Sequence, residues 1–363
     1  PNVVLQKHGF TADCPRTGES AEIFKDENEG TYISSVAYAK VEAAEDSKCE
    51  MRDTLKGVLK DKYTITNDIE KLGQKKEELN YIAVVHIDGN KMGERFMNCE
   101  SLPEIRKLSK EVKDDTERAF KSMISELIKR IEDGELSEDK GFSFANEDNK
   151  TILPVRPIII GGDEITFVCD GRLALWLAEI FIKELIRQNV TGDKPLSACG
   201  GISIVKTKYP FFRAYEMAEY LTKKAKMISR DEENSSYIDF FISSGGWVGE
   251  EIEKNYYWAL EGNLHFGPYR VDGDRNINEC HVDNLKEIVK GLKKFPMNKV
   301  MKLRDVLYED KGCAVMFVKE LETRDHKLPE IPGKNYHRSI WLDGRTPYFD
   351  AIELMDFYPE GLL

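Results

Sequence analysis

Three carboxylates stand at the ends of short apolar runs in this 363-residue chain, where they could hold metal ions. Asp88 ends the run that begins at Tyr81, and Asp163 and Glu164 follow a glycine pair after three isoleucines. Acidic side chains at the tips of buried strands are costly unless a cation or a ligand compensates them. Divalent ions such as Mg²⁺ or Mn²⁺ prefer oxygen ligands and orient a triphosphate for attack by a hydroxyl. The pattern therefore predicts two-metal phosphoryl transfer on nucleoside triphosphates, with these three carboxylates as the catalytic residues.

Residues next to the carboxylates complete the predicted site. The carbonyl of Ile87 could add a metal ligand, since hard cations accept main-chain oxygens. Glycines beside the acids would let a nucleotide approach the backbone closely. Lys223 and Lys226 lie three residues apart on a predicted helix and could neutralise the β- and γ-phosphates. The predicted nucleotide-binding residues are Gly89, Asn90, Gly161, Gly162, Lys223 and Lys226.

Each of these residues also has a purely structural interpretation. Glycine and aspartate are common in tight turns, and lysines near the end of a helix complement its dipole. His86 shares a strand face with Asp88, and we expect it to be buried and hydrogen-bonded rather than catalytic. The strand-end carboxylate and the order of the surrounding elements together favour the functional interpretation.

The apolar pattern from Tyr81 onward predicts the elements that position the acids. In chain order they are a strand at 81–90, a helix at 101–132, a hairpin at 158–168, a helix at 172–188, a strand at 196–205, a helix at 209–229 and a strand at 237–242. This order predicts an α+β fold, an antiparallel sheet backed by helices, with the site on the strand ends and the hairpin turn. Gly200 and Gly201 inside a strand predict a close backbone approach or a bulge.

Composition restricts the remaining classes of function. The formal net charge of -12 disfavours sequence-independent binding of nucleic acid over the whole surface, although a local basic groove remains open. Seven cysteines without a C-x-x-C pair favour neither a disulfide framework nor a zinc ribbon, and suit a reducing compartment. No apolar run approaches the roughly 20 residues that span a bilayer. We therefore expect a cytoplasmic protein that does not bind membranes.

Several motifs together resemble the second palm domain of the type III CRISPR large subunit, the Cas10/Cmr2 family, which is distantly similar to GGDEF proteins. The resemblance extends over most of the chain after residue 80. Its motifs are His86–Gly93, Gly161–Glu164, Gly200–Val205, Lys208–Phe211, Arg213–Glu219, Ala225–Lys226, Tyr237–Phe240 and Thr346–Leu354.

The resemblance implies a polymerase/cyclase palm fold, of the ferredoxin-like, GGDEF/nucleotide-cyclase type. It also implies a metal-dependent conversion of ATP into a cyclic or linear oligonucleotide second messenger in CRISPR-like antiviral defence. Asp88, Asp163 and Glu164 would be the metal ligands, and Gly161 and Gly162 would pack against the nucleotide. RNA and other CRISPR or defence subunits are the implied partners. A homodimer is a further alternative.

Two departures from the family pattern accompany the resemblance. The turn reads Gly-Gly-Asp-Glu where the family usually has two aspartates, and no His-Asp dipeptide occurs, so the family's nuclease domain is not expected in this chain. We divide the chain into an N-terminal segment (1–78), a remnant of an upstream domain, a palm domain (79–244) and a mainly helical accessory domain (245–363). Gly245-Gly246 marks the second boundary, and the helical pattern after Leu285 is broken around Pro296.

Two alternative functions remain open. A diguanylate-cyclase-like enzyme using GTP would have the same fold, but position 165 is Ile where that family has Phe, and no Arg-x-x-Asp motif precedes the turn. An inactive palm could bind nucleotide or RNA as a scaffold subunit. The intact carboxylates disfavour that alternative, since a scaffold does not need buried acids.

Overall fold

The computed structural model describes residues 12–15, 17–25, 31–72, 80–187, 195–232, 235–243 and 256–363. The helices are α1 (Ser35–Leu59), α2 (Met92–Met97), α3 (Leu102–Glu132), α4 (Ala174–Arg187), α5 (Phe211–Ser229), α6 (Val282–Leu292), α7 (Met297–Val306), α8 (Lys311–Glu322), α9 (Tyr336–Ser339) and α10 (Tyr348–Leu354). The strands are β1 (Ile23–Lys25), β2 (Thr31–Ile33), β3 (Tyr63–Thr64), β4 (Tyr81–Gly89), β5 (Asn146–Glu147), β6 (Lys150–Ile152), β7 (Val155–Gly161), β8 (Glu164–Asp170), β9 (Ala198–Lys206), β10 (Tyr237–Ile242), β11 (Trp258–Ala259), β12 (Gly262–Asn263) and β13 (Tyr269–Arg270). Among the described helices, none has the length and apolarity needed to cross a membrane.

A six-stranded sheet in the order β13-β10-β9-β4-β8-β7 forms the centre of the molecule. The predicted order of strand, helix, hairpin, helix, strand, helix and strand is confirmed from β4 to β10. The predicted antiparallel arrangement holds for every pairing in this sheet except β9–β10, which is parallel. Parallel pairing follows because α5 crosses from the end of β9 back to the start of β10.

Helices cover the two faces of this sheet differently. The alternation of side chains along β4 and β8 places Ile87 and Ile165 in the core beneath α3 and α4. Val84 and Val168 belong instead to a smaller cluster with Ala218 of α5. Because Asp88 lies four residues after Val84, it shares the α5 face at the end of β4.

A close approach of α5 to β9 fixes the helix on the sheet. A Cβ atom at Gly201 would overlap the carbonyl oxygen of Ala218 and lie 2.6 Å from the nitrogen of Thr222. Thr222 Oγ1 donates a hydrogen bond to the carbonyl of His86 at 3.0 Å. The close approach predicted for the glycine pair is therefore confirmed at Gly201, and it aligns α5 with the end of β4.

The segments outside the palm join the same core. Leu55 and Leu59 of α1 are buried together with residues of α3, so the N-terminal segment packs on the palm. After residue 256 the chain is mainly helical as expected, and Pro296 separates α6 from α7. The boundary predicted at Gly245 lies outside the described residues, and the three-domain division stays a prediction.

A buried charge network ties the C-terminal segment to the palm. His265 Nε2 lies 2.7 Å from Asp239 Oδ1 of β10, and its Nδ1 lies 3.1 Å from Asp350 Oδ1 of α10. Lys224 of α5 approaches Asp239 Oδ2 at 3.4 Å, and the Tyr269 hydroxyl donates to Asp350 Oδ2 at 2.6 Å. Burial alone would lower the pKa of His265, but Asp350 and Asp239 outweigh it and raise this pKa to about 9. The imidazole is therefore a cation at neutral pH and donates from both nitrogens.

Candidate active site

The hairpin between β7 and β8 turns within two residues, Gly162 and Asp163, because Gly161 and Glu164 still pair. Gly162 has a φ of +59°, a left-handed conformation that favours glycine. Thr116 Oγ1 of α3 donates a hydrogen bond to the carbonyl of Gly162 at 2.7 Å. The helix on the opposite face of the sheet thus fixes the turn that carries Asp163.

Asp163 packs directly on the end of β4. Its carbonyl accepts a hydrogen bond from the nitrogen of Gly89 at 3.1 Å. A Cβ atom at Gly89 would lie 2.8 Å from the Cβ of Asp163, so glycine is needed for this contact. Burial raises the pKa of Asp163, and the neighbouring carboxylate of Asp88 raises it further. The structure therefore brings together the strand-end acid and the first acid of the turn.

Lys226 of α5 completes this pair of acids. Its Nζ lies 2.7 Å from Asp88 Oδ2 and donates to the carbonyl of Gly89 at 2.8 Å. Only 23% of its side chain is exposed, so the ammonium is held in the cleft between the helix and the strand end. We call Asp88, Asp163 and Lys226 the acidic cluster.

Lys223 does not join the acidic cluster. Its Nζ pairs with Glu219 at 2.9 Å, one helical turn earlier, and 67% of its side chain is exposed. The predicted sharing of one face with Lys226 is only approximate, because residues three apart on a helix differ by about 60° in direction. Lys223 thus belongs to the solvated edge of α5.

Glu164 lies beside the acidic cluster and faces His86. It stands opposite Asp88 in the β4–β8 register, and its Oε1 is 3.7 Å from His86 Nδ1. His86 Nδ1 also lies 3.0 Å from Thr166 Oγ1. Burial lowers the pKa of His86, while Glu164 and Asp88 oppose that shift. His86 is buried and hydrogen-bonded, as the sequence predicted.

Asn90, which the sequence predicted to contact the nucleotide, uses its amide nitrogen inside the protein. Its side chain is buried, and its Nδ2 lies 3.1 Å from Ser229 Oγ and 2.9 Å from the carbonyl of Ser235. The same nitrogen lies 3.2 Å from Ser197 Oγ. The amide nitrogen therefore joins the end of β4 to the segments around β9 and β10, while Oδ1 is buried without a hydrogen-bond partner among the described residues, and the nucleotide contact stays a prediction.

Open space lies above the turn. Among the described residues, and apart from the chain neighbours, no atom lies within 4 Å of a Cβ built on Gly162, and at Gly161 only a methyl of Ile159 reaches 4.0 Å. At Gly89, in contrast, the space beside the α-carbon is occupied by the side chain of Asp163. The turn glycines thus leave room for a ligand, while Gly89 allows the two acids to meet.

The oxygen atoms at this site suit a single hard cation that keeps some of its waters better than a metal ion coordinated by protein ligands alone. Within the described ranges, no group of three or more Asp, Glu, His or Cys residues is arranged to hold a metal ion. Asp88 and Asp163 offer two carboxylates, and Ile87, whose side chain is fully buried, offers only its carbonyl. Magnesium retains several waters, so two carboxylates at a cleft are sufficient. Two acids in a partly buried site, with a raised pKa at Asp163, fit the binding of a divalent cation.

The sequence analysis did not assign a role to Tyr215, which borders the site. Its ring lies 5.5 Å from the ring of His86, edge to face. Burial raises the pKa of its hydroxyl, and Glu164 and Glu219 raise it further. Its spacing of 4, 7 and 11 residues from Glu219, Thr222 and Lys226 places it on one helical stripe, a signal present in the sequence.

The sheet order, the helices on both faces and the acids at a strand end and a hairpin turn define a palm fold. Residues 81–234 match the family model of the second palm domain of Cas10/Cmr2. The resemblance to the Cas10/Cmr2 second palm domain that the motifs predicted is therefore confirmed for this segment. Comparison with curated proteins gave no match.

Solved structures similar to this chain include Csm1–Csm4 cassettes. The cassette in complex with AMPPNP is 17% identical with a TM-score of 0.44, covering 80% of this chain and 37% of that one. The cassette with one ATP is 15% identical with a TM-score of 0.44, covering 80% and 38%. Csm1 in T. onnurineus is 16% identical with a TM-score of 0.38, covering 77% and 38%. This chain thus spans less than two fifths of the length of those chains.

Proposed function

We propose that the chain is a metal-dependent nucleotidyltransferase that converts ATP into a cyclic or linear oligonucleotide second messenger in CRISPR-like antiviral defence. The observation that carries this proposal is the acidic cluster, in which Asp88 and Asp163 meet beside the ammonium of Lys226. The match of residues 81–234 to a palm family model supports it, and the resemblance implies ATP as the substrate. RNA and other defence subunits are the partners we propose.

In this reaction the 3′-hydroxyl of one nucleotide attacks the α-phosphorus of another. A phosphodiester bond forms, the bond to pyrophosphate breaks and the hydroxyl proton is released. Mg²⁺ or Mn²⁺, when bound, supplies neutralising charge and lowers the pKa of the attacking hydroxyl. Asp88 and Asp163 hold the cation, and Glu164 stands next to them. The open space above Gly161 and Gly162 accommodates the nucleotide, and Thr116 keeps the turn in position.

Lys226 neutralises the acids in the free protein, and its ammonium would be available to the triphosphate if a bound divalent cation neutralised the acids instead. We expect Lys226→Gln to raise the KM for ATP by about tenfold, the effect of losing one charged contact to phosphate. Steady-state kinetics over a range of ATP concentrations would measure it. Lys223→Gln, which removes an exposed lysine of the same helix, should leave KM unchanged. Equal effects of the two variants, or no effect of Lys226→Gln, would contradict this role.

The function is tested by incubating the protein with each labelled nucleoside triphosphate and Mg²⁺ or Mn²⁺, with and without RNA, and resolving the products. We expect ATP to be consumed with release of pyrophosphate and formation of oligonucleotides that contain adenosine. Products formed from GTP alone would instead support the diguanylate-cyclase-like alternative. Absence of products with every triphosphate, in protein that binds nucleotide, would support the scaffold alternative.

A further inference from the structure

A second cavity, of about 470 Å³, lies on the face of the sheet opposite to the acidic cluster. It is enclosed by α3, α4, α6 and the C-terminal residues, with Trp176 and Ile180 as apolar wall. Its charged lining has more cations than carboxylates, although the chain as a whole has a formal net charge of -12. The cations are Lys129, Arg130, Lys183, Arg187 and Lys286, and the carboxylates are Glu126, Glu179 and Glu184.

Glu179 supplies an unused acceptor at this cavity. The residue is only 4% exposed, and its Oε1 lies 2.7 Å from the ammonium groups of both Lys183 and Lys286. Its Oε2 is buried and has no hydrogen-bond partner among the described residues. An unpaired buried carboxylate oxygen is costly, and native proteins rarely keep one without a reason. The oxygen is therefore available to a donor group of a ligand.

Tyr358 supplies an unused donor in the same lining. The residue is 1% exposed, and its hydroxyl has no hydrogen-bond partner in the described part of the chain. Burial raises the pKa of this hydroxyl, and the nearby Glu179 raises it further, so the group keeps its proton. The cavity thus presents one acceptor oxygen on a carboxylate that contacts two lysines, and one hydroxyl donor.

We propose that this cavity is an accessory binding site for a nucleoside phosphate whose base carries an amino group next to a ring nitrogen. Adenine and cytosine have this pattern, whereas uracil presents a carbonyl where the amino group would be. The amino group donates to Glu179 Oε2, and the ring nitrogen accepts from the hydroxyl of Tyr358. Trp176 and Ile180 contact the flat faces of the base. The site uses no metal ion and is independent of the proposed catalytic function.

Lys183 is the cation best placed to bind the phosphate. Lys286 bonds both Glu179 and Asp283, the latter at 2.6 Å, and 20% of its side chain is exposed. The side chain of Lys183 is 37% exposed, and it duplicates the contact that Lys286 makes with Glu179. Lys183 can therefore turn toward an anionic group while Glu179 keeps a counter-ion. Lys129 and Arg187 add positive charge nearby.

Calorimetric titration of the protein with AMP, CMP, UMP and inorganic phosphate, all in EDTA, tests this site without the metal-dependent one. We expect AMP or CMP to bind about tenfold more tightly than UMP, because a hydrogen-bonding site rejects a ligand that leaves its groups unpaired. Asp163→Asn should bind AMP as the wild type does. Equal binding of UMP, binding of phosphate alone or no binding of any nucleotide would overturn the proposal.

Tyr358→Phe gives a sharper test, because it removes a hydroxyl that has no hydrogen-bond partner among the described residues. The variant should be at least as stable as the wild type in urea unfolding, since no hydrogen bond is lost. It should raise the Kd of the preferred nucleotide by about fivefold, the effect of losing one hydrogen bond between neutral groups. The Kd of UMP should stay unchanged. Tyr308→Phe, at a tyrosine outside the cavity, is the matched control. Unaltered binding of the preferred nucleotide to Tyr358→Phe would refute the assignment.

Discussion

We expect Asp163→Asn to lower kcat for the proposed oligonucleotide formation by about 1,000-fold or more, because the charge proposed to hold the cation would be lost from the centre of the site. The substitution is isosteric and keeps the hydrogen bond between the nitrogen of Gly89 and the carbonyl of residue 163. It also removes one of two like charges, and the raised pKa of Asp163 shows that its ionised form is disfavoured there. Unfolding in urea should therefore show equal or greater stability than the wild type.

Two further variants test whether the loss of activity is specific to Asp163. Asp148→Asn changes an acid in a distant left-handed turn where asparagine fits equally well, and should leave kcat unchanged. Glu164→Gln should lower kcat less than Asp163→Asn does, because Glu164 faces His86 beside the acidic cluster. If Asp163→Asn unfolds the protein, the acid is a structural turn residue. If the folded variant retains wild-type kcat, the assignment of the site is incorrect.

The largest loss of stability is expected from His265→Gln. The imidazolium is fully buried between Asp239 and Asp350, and the neutral amide would leave two buried carboxylates without their shared cation. Removing one member of a buried ion pair costs about 3–5 kcal/mol. Lys224 and the Tyr269 hydroxyl remain as partial compensation. Urea unfolding at neutral pH measures the effect, with the half-buried His326 changed to Gln as the control.

The same network makes the free energy of unfolding depend on pH in the alkaline range. The pKa of His265 is raised from its ordinary value of 6.5 to about 9 in the folded protein, so the folded state binds the proton more tightly. The resulting stability is fully present below pH 6.5 and is lost as the pH rises through about 9. The wild type should lose about 3 kcal/mol of unfolding free energy over this interval relative to His265→Gln. Parallel pH profiles of the two proteins would show that His265 is not charged in the folded state.

The central fold could be predicted from sequence because its signals are local. Alternating apolar residues along β4 and the helical periodicity of α3 specify these elements within short windows of the chain. The tight turn at Gly162 and the close approach at Gly201 were also predictable, since each demands glycine for a steric reason. The strand-end position of Asp88 and the turn position of Asp163 followed from the same patterns.

Roles that depend on distant partners could not be predicted in this way. Asn90 and Lys226 were both assigned to the nucleotide, yet the amide nitrogen of Asn90 is hydrogen-bonded to groups more than 100 residues away in the chain. Lys223 and Lys226 are alike in sequence, and only the direction of α5 against β4 separates the solvated lysine from the one in the cluster. The direction of α5 is set by packing, which a single helix does not encode.

The sequence by itself thus determined the palm elements, the chain positions of the acids and the resemblance to a family, because periodicity, turn geometry and motif spacing are written in consecutive residues. Tertiary structure alone decided that Asp163 packs on the end of β4 beside Asp88, that His265 links Asp239 to Asp350, and that a second cavity forms behind the sheet. The pairs in the network are 26 and 85 positions apart in the chain, and Lys226 and Gly89 at the site are 137 positions apart. The free energy of a buried charge depends on such partners, and no local pattern in the chain specifies them.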